Sequence, residues 1–233
     1  MPGANTATRG TIATLQAQPD PIDIDLDKLA VVVIDMQNAF VSEGGMFDLW
    51  GIDISRGQEI VAPIRRILDA ARGKGCRIVY TQAAYSADLR ETGGPNSPGW
   101  FRSRNPVTFR EDPDHRDRLT LRGTWGAEII EPLKPHEGDV IIEKHKYSAF
   151  YGTYLDTILT TYGVKFLAFT GAATNICVEA TVRDAFHEHY FPILLEDACA
   201  NAGPPATQEA TIFNVKLAYG WVASTQSFLK LLS

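Results

Sequence analysis

The chain has 233 residues, 45% of them hydrophobic and 21% charged, a balance that lets one domain bury one sizeable core. A formal net charge of -6, with Lys and Arg scattered along the chain, excludes nucleic acid and anionic membranes as partners and leaves small molecules as the expected ligands. The three cysteines, Cys76, Cys177 and Cys199, are too far apart for a disulfide framework or a metal-ligand rhythm, which points to a reducing, cytoplasmic protein.

Residues 1–28 are rich in Thr, Ala, Pro and Asp and have no continuous apolar core. They are expected to form an N-terminal surface arm, and they resemble neither a signal peptide nor a membrane span. Residues 29–233 then carry short apolar or β-branched runs at Ala30 to Ile34, Arg77 to Thr81, Val140 to Glu143, Phe166 to Thr170, Pro192 to Leu195 and Trp221 to Ala223. Each reads as a strand buried on both faces. Helical spacing fills the intervals: Ile60, Ile64, Ile67, Leu68 and Ala71 lead to stops at Gly73 and Gly75, and Leu155, Ile158, Leu159 and Tyr162 run from a start at Thr153 to Gly163. Alternation of this kind predicts an α/β fold of three layers, α/β/α, around a central, mostly parallel six-stranded sheet in a Rossmann-like arrangement with right-handed crossovers. The interval 83–122 breaks the rhythm with Gly93-Gly94-Pro95, Pro98, Pro106 and Pro113, yet holds Tyr85, Trp100, Phe101 and Phe109. It reads as a lid or an interface segment.

Ligands of open parallel sheets bind beyond the carboxyl ends of the strands, so polar residues that close apolar runs are the first site candidates. Asp35 closes Ala30 to Ile34, Lys144 closes Val140 to Glu143, and Cys177 lies in the turn after Phe166 to Thr170. Each has a plain alternative: Asp35 could cap a helix, Lys144 could be solvated, and a lone cysteine is more often a small buried hydrophobe than a nucleophile. Together they supply a proton acceptor, a cation that keeps it ionised, and a nucleophile. The segment Thr170 to Glu179 also places Cys177 at a helix start, where free N–H groups and the helix dipole favour thiolate over thiol. Asn38, Phe40, Gln82, Tyr85 and Tyr147 lie near the same strand ends and are the candidates for substrate contact. His187 and His189 sit at i and i+2, a spacing that points them apart on a helix, and no metal site is expected there.

Val32-Val33-Ile34-Asp35-Met36-Gln37, Glu143-Lys144 ahead of Tyr147-Ser148, and Gly171 to Glu179 resemble the motifs of the isochorismatase-like cysteine hydrolases. The resemblance implies an Asp35, Lys144, Cys177 triad, a cis peptide at Ala172-Ala173, and an oxyanion hole made by the backbone N–H groups of Ala173 and Cys177. It implies no cofactor and no metal. Within that family the chain is similar to the ureidoacrylate amidohydrolases through Asp35 to Ala39, Gly93-Gly94-Pro95, Gly123-Thr124-Trp125, Ala173-Thr174-Asn175 and Gly220-Trp221-Val222. It departs from that group in having Ala83 and Tyr85 where the group has Asn and Trp. The nicotinamidase metal motif is missing, since Gln82 to Asp88 holds no histidine, and Cys177 separates the chain from true isochorismatases. The implied activity is cysteine-dependent hydrolysis of a carbamoyl C–N bond in a small ureide or amide by a homo-oligomer, a dimer or tetramer. Biuret or triuret stays open as the substrate, and a non-catalytic ligand-binding module is the reading from another class.

Overall fold

The structure is a computed structural model that describes residues 11–233. β1 (Ile12–Leu15) and β2 (Ile22–Asp25) pair antiparallel. β3 (Leu29–Ile34), β4 (Arg77–Ala83), β5 (Val140–Lys144), β6 (Phe166–Ala172), β7 (Phe191–Ala200) and β8 (Trp221–Ala223) form one six-stranded sheet in the order β5-β4-β3-β6-β7-β8, parallel throughout. The short helices α1 (Asn38–Val41), α2 (Met46–Leu49) and α3 (Ser55–Glu59) follow β3 and lead into α4 (Val61–Gly73). The segment between β4 and β5 holds α5 (Pro98–Arg102) and α6 (Arg104–Glu111). α7 (Leu155–Thr161), α8 (Glu179–His187), α9 (Pro205–Asn214) and α10 (Thr225–Leu231) complete the helices. No helix of the described residues is long and apolar enough to cross a membrane.

The period-two geometry of a strand divides β3 between two cores. Val31 and Val33 pack with Ile64, Ile67, Leu68 and Ala71 of α4 and Phe228 of α10, whereas Ala30, Val32 and Ile34 pack with Leu155 and Leu159 of α7 and Val182 and Ala185 of α8. All six residues of β3 are buried, as a strand covered on both faces requires. The helix over residues 61–73 matches the expected apolar stripe. α7 starts one residue later than the expected cap, with Tyr154 at its N-cap, and the Thr153 hydroxyl accepts the Leu155 N–H at 3.1 Å just ahead of it, while Asp156 accepts the Tyr190 hydroxyl at 2.7 Å.

Two expectations change. β5 is not buried on both faces: it is an edge strand with β4 as its one neighbour, and Ile141 is 41% exposed. The surface-arm reading of 1–28 does not describe residues 12–25; its first ten residues lie outside the described chain. Leu15, Ile22, Ile24 and Leu26 are buried in the α4 core, and Gln18 exchanges two backbone hydrogen bonds of 2.8 Å with Val222, covering the β8 edge. The apolar residues of that hairpin alternate with aspartates, so the composition reads as polar while the buried face is apolar. In the 83–122 segment Tyr85, Trp100 and Phe109 join Met46, Phe47, Trp50, Leu89 and Leu121 in a third, smaller cluster. A purely solvated excursion would leave them in water.

Candidate active site

The chain leaves β3 toward β4 and β5 on one side of the sheet and returns through β6, β7 and β8 on the other. The border between β3 and β6 is therefore the topological switch point, where the loops part and open a crevice beyond the strand ends. Asp35 follows β3 directly and holds a left-handed backbone, φ 48°, a conformation that side chains other than glycine seldom adopt. Lys144 is the last residue of β5. Cys177 sits in a single π-helical turn, Thr174–Val178, between β6 and α8. The Ala172-Ala173 peptide bond is cis, as the family resemblance implied.

The three side chains converge. Lys144 Nζ lies 2.6 Å from Asp35 Oδ2 with both side chains 1% exposed, and the Thr81 hydroxyl of β4 donates to Asp35 Oδ1 at 2.6 Å. The Asp35 N–H in turn donates to Thr81 Oγ1, and Lys144 Nζ donates to the Lys146 carbonyl at 3.1 Å. Both charged groups act on the Cys177 thiol, the Asp35 charge opposing its ionisation and the Lys144 charge favouring it. Close approach of β6 to β3 is needed for this. A Cβ on Gly171, whose φ is 110°, would stand 2.1 Å from the Ile34 carbonyl oxygen, one residue before Asp35.

Burial pushes the Cys177 thiol up to about 12 and the Asp35 charge adds to that, while the Lys144 charge pulls the other way. Burial thus works against the thiolate that the helix-start argument favours. For Lys144, burial works to lower the value, and the charge of Asp35 overcomes it and holds the ammonium above its ordinary range. Burial likewise pushes the Tyr85 hydroxyl to about 12, and it donates to the His145 carbonyl at 2.9 Å.

Cys177 and Lys144 open onto a cavity of about 80 Å³. Of the five residues chosen for substrate contact, Phe40, Tyr85 and Tyr147 line it, and Ala173 of the expected oxyanion hole does so too. Gln82 and Asn38 do not. The Gln82 amide donates to the Ala127 carbonyl at 2.7 Å, and Asn38 Nδ2 donates to the Trp125 carbonyl at 2.9 Å while its Oδ1 accepts the Ser42 hydroxyl. Both bind backbone that encloses the site. Gln37 is a further such tie: its amide accepts the Ala83 N–H and donates to the carbonyls of Ala83 and Ala127. Sequence reasoning missed Phe47, Trp50, Arg104 and Asn105 as wall residues. The aromatic content of 83–122 signalled that this segment covers something, but α2 gave no comparable sign.

Among known proteins, the Isochorismatase domain matches residues 29–227. The chain is 44% identical over 220 residues to the ureidoacrylate amidohydrolase RutB of Agrobacterium fabrum, a match that covers 94% of this chain and 96% of that protein. The crystal structure of a cysteine hydrolase from Pseudomonas syringae pv. phaseolicola superposes with a TM-score of 0.74 at 27% identity, covering 90% of this chain and 94% of that one. N-carbamoylsarcosine amidase from Thermoplasma acidophilum gives a TM-score of 0.64 at 28% identity over 85% of this chain and 96% of that one. With its parallel sheet, its switch-point cavity and a domain match over most of its length, the chain belongs to the isochorismatase family of hydrolases.

Proposed function

We propose that this protein is a cysteine-dependent amidohydrolase that cleaves the carbamoyl C–N bond of a small ureide through a covalent acyl-enzyme. The observation that carries the reading is the buried Asp35–Lys144 ion pair of 2.6 Å set against the thiol of Cys177 at a cavity wall. A protonated resting thiol requires a base, and Asp35 is the acceptor within reach. Asp35 takes the Sγ proton as sulfur attacks the carbamoyl carbon, and the oxyanion is received by the backbone N–H groups of Ala173 and Cys177. Asp35 returns that proton to the leaving nitrogen as the C–N bond breaks, leaving a carbamoyl thioester. It then takes a proton from water, the hydroxide attacks the thioester, carbamate departs, and the sulfur recovers the proton. Lys144 keeps Asp35 charged and aimed through the cycle.

Ureidoacrylate-like compounds are the first substrate reading, supported by the named activity of the relatives that match over nearly the whole chain. Biuret or triuret is the second, favoured by Ala83 on the cavity wall, where a side-chain amide would otherwise meet a planar ureide. The buried, unpaired cysteines support a cytoplasmic location, and exposed Phe186, Phe191, Phe213 and Leu217 support a homo-oligomer. The test is to incubate purified protein with ureidoacrylate, biuret, triuret and nicotinamide, following ammonia release and the mass of a carbamoyl adduct on Cys177. Turnover of a ureide with that adduct is the expected result. Saturable binding with neither ammonia nor adduct would leave a ligand-binding module, and nicotinamide as the best substrate would overturn the ureide assignment.

A further inference from the structure

The charge of the cavity wall differs from that of the protein as a whole. Against a net charge of -6, the cavity at Cys177 is lined by Arg104, Lys144 and Lys146 and by no Asp or Glu. A second hollow shares Tyr85, Ser103, Lys146 and Tyr147 with the first, adds Arg102 and His145, and likewise has no carboxylate in its lining. Lys144 is neutralised by Asp35. Arg104 and Lys146, both exposed at the mouth, meet no carboxylate within ion-pair distance among the described residues.

Of the neighbouring cations in the same segment, Arg102 lines the second hollow and the others are occupied otherwise. Arg90 pairs with Asp88, Arg118 with Asp117, and Arg122 with Glu91 and Glu143. Arg110 and Arg116 lie over the rings of Trp100 and Phe109, outside both hollows. Arg104 also lies over an aromatic face, with its guanidinium carbon 5.1 Å from the ring centre of Trp50, but Trp50 is itself a cavity wall. That contact steadies the guanidinium while its N–H edge stays available to a ligand. Beside it Asn105 is buried, spends its Oδ1 on the Thr120 N–H at 3.0 Å, and has an amide nitrogen that donates to no protein acceptor among the described residues. The cavity wall therefore carries donors and positive charge besides the ion-paired Lys144, with no carboxylate in the lining to satisfy them.

We propose that Arg104, held by Trp50 and assisted by Lys146 and the Asn105 amide, binds a carboxylate on the substrate and so selects acidic ureides over neutral ones. This rests on the carbamoyl-hydrolase reading above and sharpens it: the carbamoyl group faces Cys177 and an anionic tail faces Arg104, so the substrate is an N-carbamoyl compound with a carboxylate a few bonds from the scissile nitrogen. A guanidinium matches a carboxylate in a two-bond fork, and an uncharged isostere forfeits the charge-assisted part of that contact.

The experiment compares kcat/KM for ureidoacrylate with kcat/KM for its carboxamide, which differs only in charge, in the native protein and in Arg104→Gln, Arg104→Lys and Lys146→Met. Circular dichroism checks that each variant is folded. The ratio of the two constants is expected to fall about 10- to 100-fold in Arg104→Gln, mainly through KM for ureidoacrylate, with partial recovery in Arg104→Lys and a smaller fall in Lys146→Met. A ratio that stays the same in Arg104→Gln overturns the subsite while leaving the cysteine chemistry intact. If the native protein turns over neither compound, the ureidoacrylate reading fails, and calorimetric titration with ureidoacrylate decides the subsite separately. Weaker binding to Arg104→Gln than to the native protein sustains it, and equal binding overturns it.

Discussion

At the scale of single residues the decisive quantity is the proton on Cys177. Burial raises that thiol, so on the proposed reading the nucleophile forms only when Asp35 removes its proton, and the two side chains work as one unit. Replacing Cys177 with Ser is expected to leave the fold intact and reduce turnover about 10³-fold or more, since the hydroxyl is far harder to ionise beside the same base. Retention of a tenth of the native kcat would show that another group attacks. The Asp35–Lys144 pair makes a second prediction through stability. Asp35→Asn or Lys144→Met each leaves one charge buried without its partner and should cost about 3–5 kcal/mol in urea unfolding, whereas the double variant should recover part of that loss. A double variant less stable than either single one would refute the pairing. Asp35 and Lys144 stood out in the sequence because each is a polar residue closing an apolar run, and Cys177 because it lies in the turn after one. Gln82 and Asn38 were misassigned because their amide partners, the carbonyls of Ala127 and Trp125, lie 45 and 87 residues further along the chain. Local pattern cannot show which of two polar neighbours, protein or ligand, an amide will meet.

At the scale of elements, the strand runs were legible because a strand buried on both faces is a continuous apolar stretch, and five of the six lie within longer observed strands. The β1–β2 hairpin and the π-helical turn were not, the first because its apolar face alternates with aspartates, the second because a five-residue turn has no period to detect. Gly171 connects element to site. Alanine there would meet the Ile34 carbonyl oxygen at 2.1 Å in a backbone region unfavourable to any side chain, so β6 and β3 would have to separate next to Asp35. Gly171→Ala is expected to lower stability by about 1–3 kcal/mol and to reduce kcat by more than that loss of folded protein explains. Native kcat in the folded fraction, read from activity against denaturation curves, would count against a role for that close approach.

For the molecule as a whole, the three thiols give stability a definite pH dependence. Burial raises Cys76 to about 11 and Cys177 to about 12, and pushes Cys199 up as well. A folded-state value above the unfolded one, ~8.5 for a free thiol, means that the unfolded chain releases these protons first. The stabilisation is complete below that unfolded value and is lost as pH rises toward the folded ones. The melting temperature should therefore decline from about pH 9 upward, and less steeply in Cys76→Ala than in the native protein; equal slopes would mean that other groups govern the alkaline limb. A different consequence follows from the way the cavity is built. The reacting groups ride on β3, β5 and the turn after β6, with Thr81 of β4 between them, at spacings that the sheet's backbone ladder imposes at about 4.8 Å per strand. Tyr85, Arg104 and Asn105 of the cavity wall ride on the long connection between β4 and β5. On the proposed reading, the groups that break the bond and several of those that choose the substrate stand on separate pieces of chain, so substitutions within residues 84–122 change which ureide is accepted while leaving Asp35, Lys144 and Cys177 in place.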